Sequence, residues 1–496
     1  MKATIVANPS RPIGKIDPLI YGQFMSRRRW VADEGLYDPS HPRARPDGLR
    51  QDVVDAVAEA APTVVRWPGG CTATSYEWTD GVGPAEQRPR VVDAHFGYAV
   101  GNGFGTAEFV AYCRAIGAEP QINLTTGTGT LREALAWLEY ANLDTGTKWA
   151  ELRKAHGHAA PFGVKYWQIG NEEWGRWEIG HTTAEDYAAR AREWARALKK
   201  LDPGIKVLVL GGGHAEDMLD WTSAVMAEAG EHIDYVTQHR YWNFNAKTGE
   251  DNYDRIVQTG AIEESLMQSV AAVIDLVAYR RKLAHKPRIA YTEWNCRDVS
   301  HAEMTPGWRP TTSQYRLVDA LACAGFINAM QRQCNTVALA NFAQTLNVVG
   351  MLVVTPDMVL KETVFHALKM QRHLSGDVAI DVWNDCEATS VDNGRGQRLS
   401  VPYLDVSATR SDAAGRVYVS IVNTHRTETI DTTVAVGKGH SARTHSLQHA
   451  DPFVRNTPEA PENVVPVTSE VAMQNGVARL ALPPHSYTIL EVVSGH

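Results

Sequence analysis

VKYWQIGNE at residues 164–172 and PRIAYTEWN at residues 287–295 are the two stretches that decide the fold. Each is a short apolar run that ends in polar residues, which is typical of a buried parallel strand whose carboxyl end opens into a site. Six more runs share this form: LIYGQF (19–24), TVVRWPGG (63–70), EPQINL (119–124), IKVLVLGGG (205–213), DYVTQHRYW (234–242) and TVALANFAQ (336–344). Eight strands result.

The segments between these runs have the period of amphipathic helices. Apolar residues recur at three- and four-residue steps in GLRQDVVDAVAEAA (48–61), TAEFVAYCRAIG (106–117), TAEDYAARAREWARALKK (183–200) and QYRLVDALACAGFINAMQRQ (314–333). In the third, Thr183 predicts an N-terminal cap, and Lys199 and Lys200 close the helix. Eight strand–helix alternations predict an α/β fold, a (β/α)8 TIM barrel, with an open doubly wound sheet as the alternative.

The periodicity of the sequence changes near residue 375, where the helical pattern ends. Short alternating runs follow, including RVYVSIVN (416–423), TTVAVG (432–437), ARLALPP (478–484) and YTILEVV (487–493), separated by Gly, Asp, Asn and Pro. These runs predict a C-terminal β-sandwich, jelly-roll-like in form, and the opening ATIVAN is expected to join it as a strand. We therefore expect a catalytic barrel at 17–375 and a sandwich domain at 1–16 plus 376–496.

Composition and charge exclude several classes of protein. The net charge of −8 and the absence of a long basic run argue against a nucleic-acid partner. No apolar run is long enough to span a membrane, and the amino terminus lacks the apolar core of a secretory signal. Six scattered cysteines without CxxC spacing suggest reduced thiols rather than a disulfide framework or zinc site. A cytoplasmic enzyme is the expectation.

Two glutamates lie at the carboxyl ends of the fourth and seventh predicted strands. Glu172 closes the fourth strand and Glu293 the seventh, so their carboxyl groups can face each other across the mouth of a barrel. A lone Glu at a strand end is usually a salt-bridge partner, but a facing pair is what cleavage of a glycosidic bond needs. We expect Glu172 to be the general acid/base, with a raised pKa, and Glu293 to be the nucleophile of a retaining enzyme.

Neighbouring polar residues support these roles. Asn171 can bind a sugar hydroxyl beside the reacting carbon, and Tyr241 can donate its hydroxyl to Glu293. His239 ends the sixth strand and is either a structural histidine or a group that orients the ligand. Among Trp174 and Trp177 we expect one residue that stacks on sugar, and we assign Trp177 to the substrate-binding set.

The chain resembles the α-L-arabinofuranosidases of glycoside hydrolase family 51 over nearly its whole length. The resemblance is carried by YGQF (21–24), RWPGGC (66–71), FGTAEF (104–109), IGNE with GRWEIGH (169–181), HRY (239–241), TEWN (292–295), AQTLNV (343–348) and VPYL (401–404). It implies the same two catalytic glutamates. It also implies sugar contacts from Arg66, Cys71, Asn171, Tyr241 and Gln344, a homo-hexamer, and neither metal nor cofactor.

The chain departs from the family pattern at three places. Ser26 stands where the family usually has a Glu, Arg297 stands where it has a Trp, and Glu173 to Arg176 replace Met-Asp-Gly-Pro. These departures predict altered recognition of the exocyclic hydroxymethyl of the sugar or of the aglycone.

Three classes of function follow from these observations. The first is a retaining exo-glycosidase that removes terminal α-L-arabinofuranosyl residues from oligosaccharides of arabinan or arabinoxylan. The second has the same fold and mechanism but acts on another glycoside, such as a galactofuranoside, or is an endo-acting β-glucan or xylan hydrolase. The third, a catalytically dead sugar-binding protein, is disfavoured by the intact pair of glutamates. The sandwich domain could be a carbohydrate-binding module, although a packing or oligomer-forming role fits its position better.

Overall fold

The computed structural model describes residues 1–213, 218–244, 253–298, 313–393, 395–437 and 439–494. At 243–244, 297–298, 439–440 and 494 it describes the backbone alone, so the side chain of Arg297 lies outside the described part of the chain.

Eight parallel strands close into a barrel, as the sequence predicted. In order around the barrel they are β2 (Gly22–Phe24), β3 (Val64–Trp67), β6 (Glu119–Leu124), β7 (Tyr166–Ile169), β8 (Lys206–Leu210), β9 (Tyr235–Phe244), β10 (Arg288–Asp298) and β11 (Val337–Ala343). Each corresponds to one of the eight predicted runs. The closed order excludes the open doubly wound sheet.

Helices connect these strands and cover the barrel. They are α1 (Gln51–Ala60), α2 (Thr106–Ile116), α3 (Leu131–Asn142), α4 (Lys148–Ala155), α5 (Ala184–Leu201), α6 (Met218–Ala229), α7 (Tyr253–Val257), α8 (Thr259–Arg281), α9 (Leu317–Arg332) and α10 (Thr363–His373). The predicted cap of α5 is confirmed, because the Thr183 side chain accepts a hydrogen bond from the Asp186 backbone N–H at 3.2 Å. Lys199 and Lys200 lie in its last turn, where positive charge suits the helix dipole.

The barrel interior is filled at one end and open at the other. A buried apolar cluster closes the amino-terminal end of the strands and consists of Leu19, Val64, Tyr166, Leu208, Tyr235, Ala290, Ala338 and Leu339. Polar side chains occupy the carboxyl ends, which is where barrel enzymes assemble their sites.

The second domain is a mostly antiparallel sheet. Its ten strands are β1 (Lys2–Lys15), β14 (Val378–Asp385), β17 (Leu404–Ser411), β18 (Arg416–Asn423), β19 (Ile430–Ala435), β20 (Gly439–Leu447), β21 (Val467–Val471), β22 (Met473–Gln474), β23 (Val477–Leu482) and β24 (Ser486–Ser494). The amino-terminal strand β1 is central in this sheet, antiparallel to β14 and parallel to β19. The fold is therefore a TIM barrel with a β domain that includes the first strand of the chain.

Short paired strands decorate both domains. They are β4 (Val91–Val92) with β5 (Ala99–Val100), β12 (Leu352–Val354) with β13 (Val359–Lys361), and β15 (Ala388–Asp392) with β16 (Arg398–Pro402). The β4–β5 pair brings its loop to the open end of the barrel, where His95 and Phe96 line the pocket.

Candidate active site

A pocket of about 480 Å³ opens at the carboxyl ends of the barrel strands. Glu172, Glu293, His239 and Tyr241 all line it. Its volume falls in the range of small-molecule sites, and carboxyl, imidazole and phenol groups converge in it, as in an active site.

The two predicted catalytic glutamates meet in this pocket. Glu293 lies within β10, and Glu172 lies three residues beyond the end of β7 in a turn with a left-handed backbone, φ 47°. One carboxylate oxygen of each residue and a ring nitrogen of His239 lie within 4.8 Å of one another. A retaining glycosidase needs carboxyl groups about 5–5.5 Å apart, whereas an inverting enzyme needs about 6.5–9.5 Å to admit a water molecule.

Glu293 is held at both of its oxygens. The Arg66 guanidinium donates to Oε1 at 2.6 Å, and the Tyr241 hydroxyl donates to Oε2 at 2.7 Å, the contact expected from the sequence. Gly70 leaves room for the carboxylate, because a Cβ there would lie 2.7 Å from Glu293 Oε1. These contacts pair the carboxylate with a positive charge and fix its direction.

Arg66 and Asn171 lie behind the surface of the pocket. Both are buried, and Arg66 donates to Asn171 Oδ1 at 2.7 Å. Asn171 in turn donates from Nδ2 to Glu178 Oε1 at 3.2 Å. Neither Arg66 nor Asn171 lines the cavity, so in this structure both act through the groups that they hold.

Glu172 accepts two hydrogen bonds. The contact between His239 Nδ1 and Glu172 Oε1 is 2.8 Å, and Trp177 donates from its indole N–H to Oε2 at 3.1 Å. Burial raises the pKa of Glu172, but the hydrogen bonds and charges around it, those of His239 first, together outweigh burial, so the pKa lies below its usual value. The expectation of a raised pKa was wrong, because the contact of His239 from β9 was not foreseen.

His239 connects the two glutamates. It lies opposite Glu293 in the register of β9 and β10, and its Nε2 is 3.0 Å from the Thr292 hydroxyl oxygen. The ring of Trp174 packs edge-on against the imidazole, with centroids 5.2 Å apart. Trp174 is buried, whereas Trp177 is half exposed and lines the pocket.

Ser26 and Gln344 form another part of the pocket wall. The Ser26 hydroxyl donates to Gln344 Oε1 at 2.8 Å, and the Ser26 backbone N–H donates to the same oxygen at 3.2 Å. Gln344 therefore directs its amide nitrogen away from Ser26. Arg176, another departure from the family pattern, is exposed and does not line the pocket.

Cys71 and His95 also line the pocket, and the buried Glu178 contacts both. Burial raises the pKa of the Cys71 thiol well above its usual value, and the charge of Glu178 adds to this effect. Burial raises the pKa of Glu178 to about 8, and the charge of Glu172 adds to it, so Glu178 is protonated at neutral pH. Sequence reasoning did not single out Glu178, although it lies within the GRWEIGH motif.

The sequence also missed a cation in the pocket. Arg28 lines the cavity and its guanidinium lies over the ring of Phe96, 4.5 Å from the centroid. The pairing of Arg28 with an aromatic residue far along the chain had no local signal.

In the part of the chain that the structure describes, two groups of side chains have donor atoms close enough to hold a metal ion. They are Cys71 with His95 and Glu178, and Glu172 with His239 and Glu293. Among the described residues, no helix is both long and apolar enough to cross a membrane.

Comparison with known proteins identifies the family. The family model described as "Alpha-L-arabinofuranosidase 1 domain" matches residues 56–258. A second family model, described as "Alpha-L-arabinofuranosidase C-terminal domain", matches residues 292–486. The probable α-L-arabinofuranosidase C of Aspergillus clavatus is 35% identical, over 85% of this chain and 84% of its own. The structure of the GH51 α-L-arabinofuranosidase from Thermotoga petrophila is 31% identical, with a TM-score of 0.88 over 99% of this chain and 100% of its own. The chain belongs to the α-L-arabinofuranosidases of glycoside hydrolase family 51.

Membership of family 51 makes this protein a glycoside hydrolase. Among its relatives, the intracellular exo-α-(1→5)-L-arabinofuranosidase of Streptomyces lividans is 31% identical, over 98% of this chain and 74% of its own.

Proposed function

We propose that this protein is a retaining exo-α-L-arabinofuranosidase that removes terminal arabinofuranosyl residues from oligosaccharides of arabinan and arabinoxylan. The observation that carries the proposal is the close approach of Glu172 and Glu293, because one carboxylate oxygen of each lies within 4.8 Å of the other. The two carboxyl groups also have different hydrogen-bond partners. Glu293 is paired with a guanidinium, and Glu172 is linked to an imidazole.

In the first step a Glu293 oxygen attacks the anomeric carbon while Glu172 donates a proton to the glycosidic oxygen. The bond between the anomeric carbon and this oxygen breaks, the aglycone leaves as an alcohol, and a glycosyl ester forms on Glu293. In the second step Glu172 takes a proton from water, whose oxygen attacks the same carbon and breaks the ester. Two displacements retain the anomeric configuration.

The contact between Glu172 and His239 bears on the proton. At 2.8 Å, Glu172 Oε1 and His239 Nδ1 are within hydrogen-bond distance, so one proton can lie between them. A sugar that covers Glu172 excludes water and favours the neutral carboxyl, which is the form that donates.

We assign the substrate-binding role to Arg66, Cys71, Asn171, Trp177, His239, Tyr241 and Gln344. Cys71, Trp177, His239, Tyr241 and Gln344 line the pocket and are placed to touch the sugar. Arg66 and Asn171 support it through Glu293 and Glu178.

The test is a panel of aryl glycosides. We expect turnover of aryl α-L-arabinofuranoside well above that of aryl galactofuranoside and aryl xyloside, with Glu293→Ala inactive. NMR of the first-formed sugar should show the α anomer. If the β anomer forms first, the enzyme does not retain the anomeric configuration. If Glu293→Ala keeps full turnover, Glu293 is not the nucleophile.

A second substrate is favoured by one observation. Ser26 replaces the family's Glu with a shorter side chain that is bonded to Gln344, which leaves space and removes a charge at this wall. A galactofuranoside has an exocyclic side chain one carbon longer than that of an arabinofuranoside, and this space could hold the additional carbon. If galactofuranosides are the true substrates, the same panel of aryl glycosides will show faster turnover of the galactofuranoside.

We further propose a cytoplasmic homo-hexamer that acts on short imported oligosaccharides. The Streptomyces lividans relative is named as an intracellular enzyme, which supports the location. The hexamer follows from the family resemblance. Cell fractionation, together with light scattering of the purified protein, tests both statements.

A further inference from the structure

Cys71, His95 and Glu178 come from three separate segments of the chain and converge on one wall of the pocket. Cys71 begins a short 3-10 helix after β3, His95 lies in the loop between β4 and β5, and Glu178 follows β7. The Cys71 sulfur, a ring nitrogen of His95 and a carboxylate oxygen of Glu178 lie within 4.8 Å of one another. The Asp93 carboxylate fixes the His95 loop by accepting from the backbone N–H of His95 at 3.1 Å.

Glu178 brings a poorly satisfied oxygen to this cluster. Its side chain has no exposed surface, and its Oε1 accepts from Asn171. Its Oε2 accepts no hydrogen bond from a nitrogen or oxygen donor and lies 3.7 Å from His95 Nδ1, so the Cys71 thiol, a weak donor, is the remaining hydrogen-bonding group at this carboxyl. A buried carboxyl oxygen with so weak a partner is costly, and a cation is one group that would satisfy it.

The donor set matches the preferences of zinc. Thiolate, imidazole and carboxylate are its usual ligands, and a site with three protein ligands leaves a fourth position open. Cys71 and His95 line the pocket, so that open position faces the sugar site. Zinc bonds of about 2.0–2.3 Å require the three side chains to close slightly from their present separation.

The electrostatic setting also favours a divalent cation at this wall. The carboxylates of Glu172 and Glu293 act electrostatically on the Cys71 sulfur, and the same negative charge attracts a cation. A bound metal displaces the thiol proton, so binding releases protons to the solvent.

The cluster of Glu172, His239 and Glu293 is the weaker candidate. The His239 nitrogens already contact Glu172 and Thr292. Glu293 is bonded to Arg66, whose positive charge repels a cation and which a metal would have to displace. This cluster also lacks a sulfur ligand.

We propose that Cys71, His95 and Glu178 form a binding site for a thiophilic divalent cation such as zinc, and that its occupation blocks the sugar pocket reversibly. The cation is an inhibitor and takes no part in hydrolysis. Zinc is expected to raise KM without lowering kcat, because metal and sugar compete for the same wall. The inference does not depend on which furanoside the enzyme prefers.

The test uses the full chain and cobalt(II) as a spectroscopic substitute for zinc. We expect one cobalt ion per chain and a near-ultraviolet band from thiolate-to-cobalt charge transfer. The band should disappear in Cys71→Ser and remain in Cys386→Ser, which removes a half-buried thiol of the β domain. It should also remain in Glu172→Gln, which removes a ligand of the rival cluster.

Calorimetry with zinc alone provides the second measurement. Glu178→Gln should weaken zinc binding about tenfold or more, while Glu362→Gln, at another buried carboxyl, should leave it unchanged. Circular dichroism establishes that each variant is folded, and Glu178→Gln serves if Cys71→Ser does not fold. The proposal is overturned if the wild type gives no thiolate band, if the band survives in Cys71→Ser, or if Glu178→Gln binds zinc as the wild type does.

Discussion

Ser26 lines the pocket at a position where we expected the family's Glu. Its hydroxyl is buried and bonded to Gln344 at 2.8 Å. We predict that Ser26→Glu fills this wall, adds a negative charge near Glu293, and lowers the preference for larger furanosides. The ratio of kcat/KM for aryl galactofuranoside to that for aryl arabinofuranoside should fall about tenfold, which corresponds to about 1.4 kcal/mol.

Ser26→Ala is the matched control, since it removes only the hydrogen bond to Gln344. It should change that ratio much less than Ser26→Glu does. If Ser26→Glu leaves both kinetic constants and their ratio unchanged, the wall does not determine which sugar is accepted.

Glu178 ties stability to pH. Burial raises its pKa to about 8, from 4.5 in the unfolded chain. Between these values the folded protein holds a proton that the unfolded chain has lost, so this group's contribution to stability is present below pH 4.5 and is lost as pH rises to 8.

Glu178→Gln mimics the neutral carboxyl and removes this dependence. Relative to the wild type, we expect the variant to be nearly as stable at pH 5 and more stable at pH 8, by up to about 4 kcal/mol. Thermal unfolding of both proteins at the two pH values measures the difference. An equal difference at both pH values would mean that Glu178 is ionised in the folded protein.

At the level of single residues, the sequence predicted only features that have a local signal. Glu172 and Glu293 were found because each ends an apolar run, a local signal. The lowered pKa of Glu172 was not predicted, because it depends on His239, which approaches from another strand. Glu178 had no local signal either, since a carboxyl inside a loop motif is usually solvated.

The segment that follows β7 is the element that sets the acid/base. It carries Glu172 and Trp177, whose indole N–H donates to the carboxylate at 3.1 Å. This hydrogen bond lowers the pKa of Glu172. We predict that Trp177→Phe raises that pKa, so that the alkaline limb of kcat/KM moves to higher pH, and lowers kcat/KM about tenfold.

A pH profile of kcat/KM measures this effect. Trp383→Phe is the control, because Trp383 is an exposed tryptophan of the β domain. An alkaline limb at the same pH in Trp177→Phe and in the wild type would show that the indole does not act on Glu172.

At the scale of elements the sequence was most informative. The eight barrel strands each combine β-branched or aromatic residues with a polar carboxyl end, so their period and their order were both visible. The short β4–β5 pair was not predicted, since two-residue strands leave no periodic pattern, and it is this pair that brings His95 to the pocket.

The two domains meet through a buried polar interface. Asn328 of α9 donates to Asp405 of β17 at 2.7 Å and accepts from Ser407 at 2.9 Å. No pattern along the chain predicts such contacts, because they join residues 77 and 79 positions apart. The limits proposed for the domains, 17–375 and 1–16 plus 376–496, place this interface between them.

Arg332 is the charged centre of that interface, and we predict that it couples the unfolding of the two domains. It bonds Glu264 of α8 at 2.6 Å and Asp405 of β17 at 3.0 Å, and all three side chains are largely buried. Arg332→Met keeps the aliphatic packing but leaves two carboxylates without their cation, so we expect the protein to lose about 2–4 kcal/mol of stability. The loss should appear in calorimetry as a lower Tm, with the β domain melting apart from the barrel. Arg443→Met should cost no more than about 0.5 kcal/mol, because its pair with Glu470 is exposed. If the two variants unfold at the same temperature, Arg332 does not couple the domains, and their cooperation must come from the apolar contacts between α9 and the sheet.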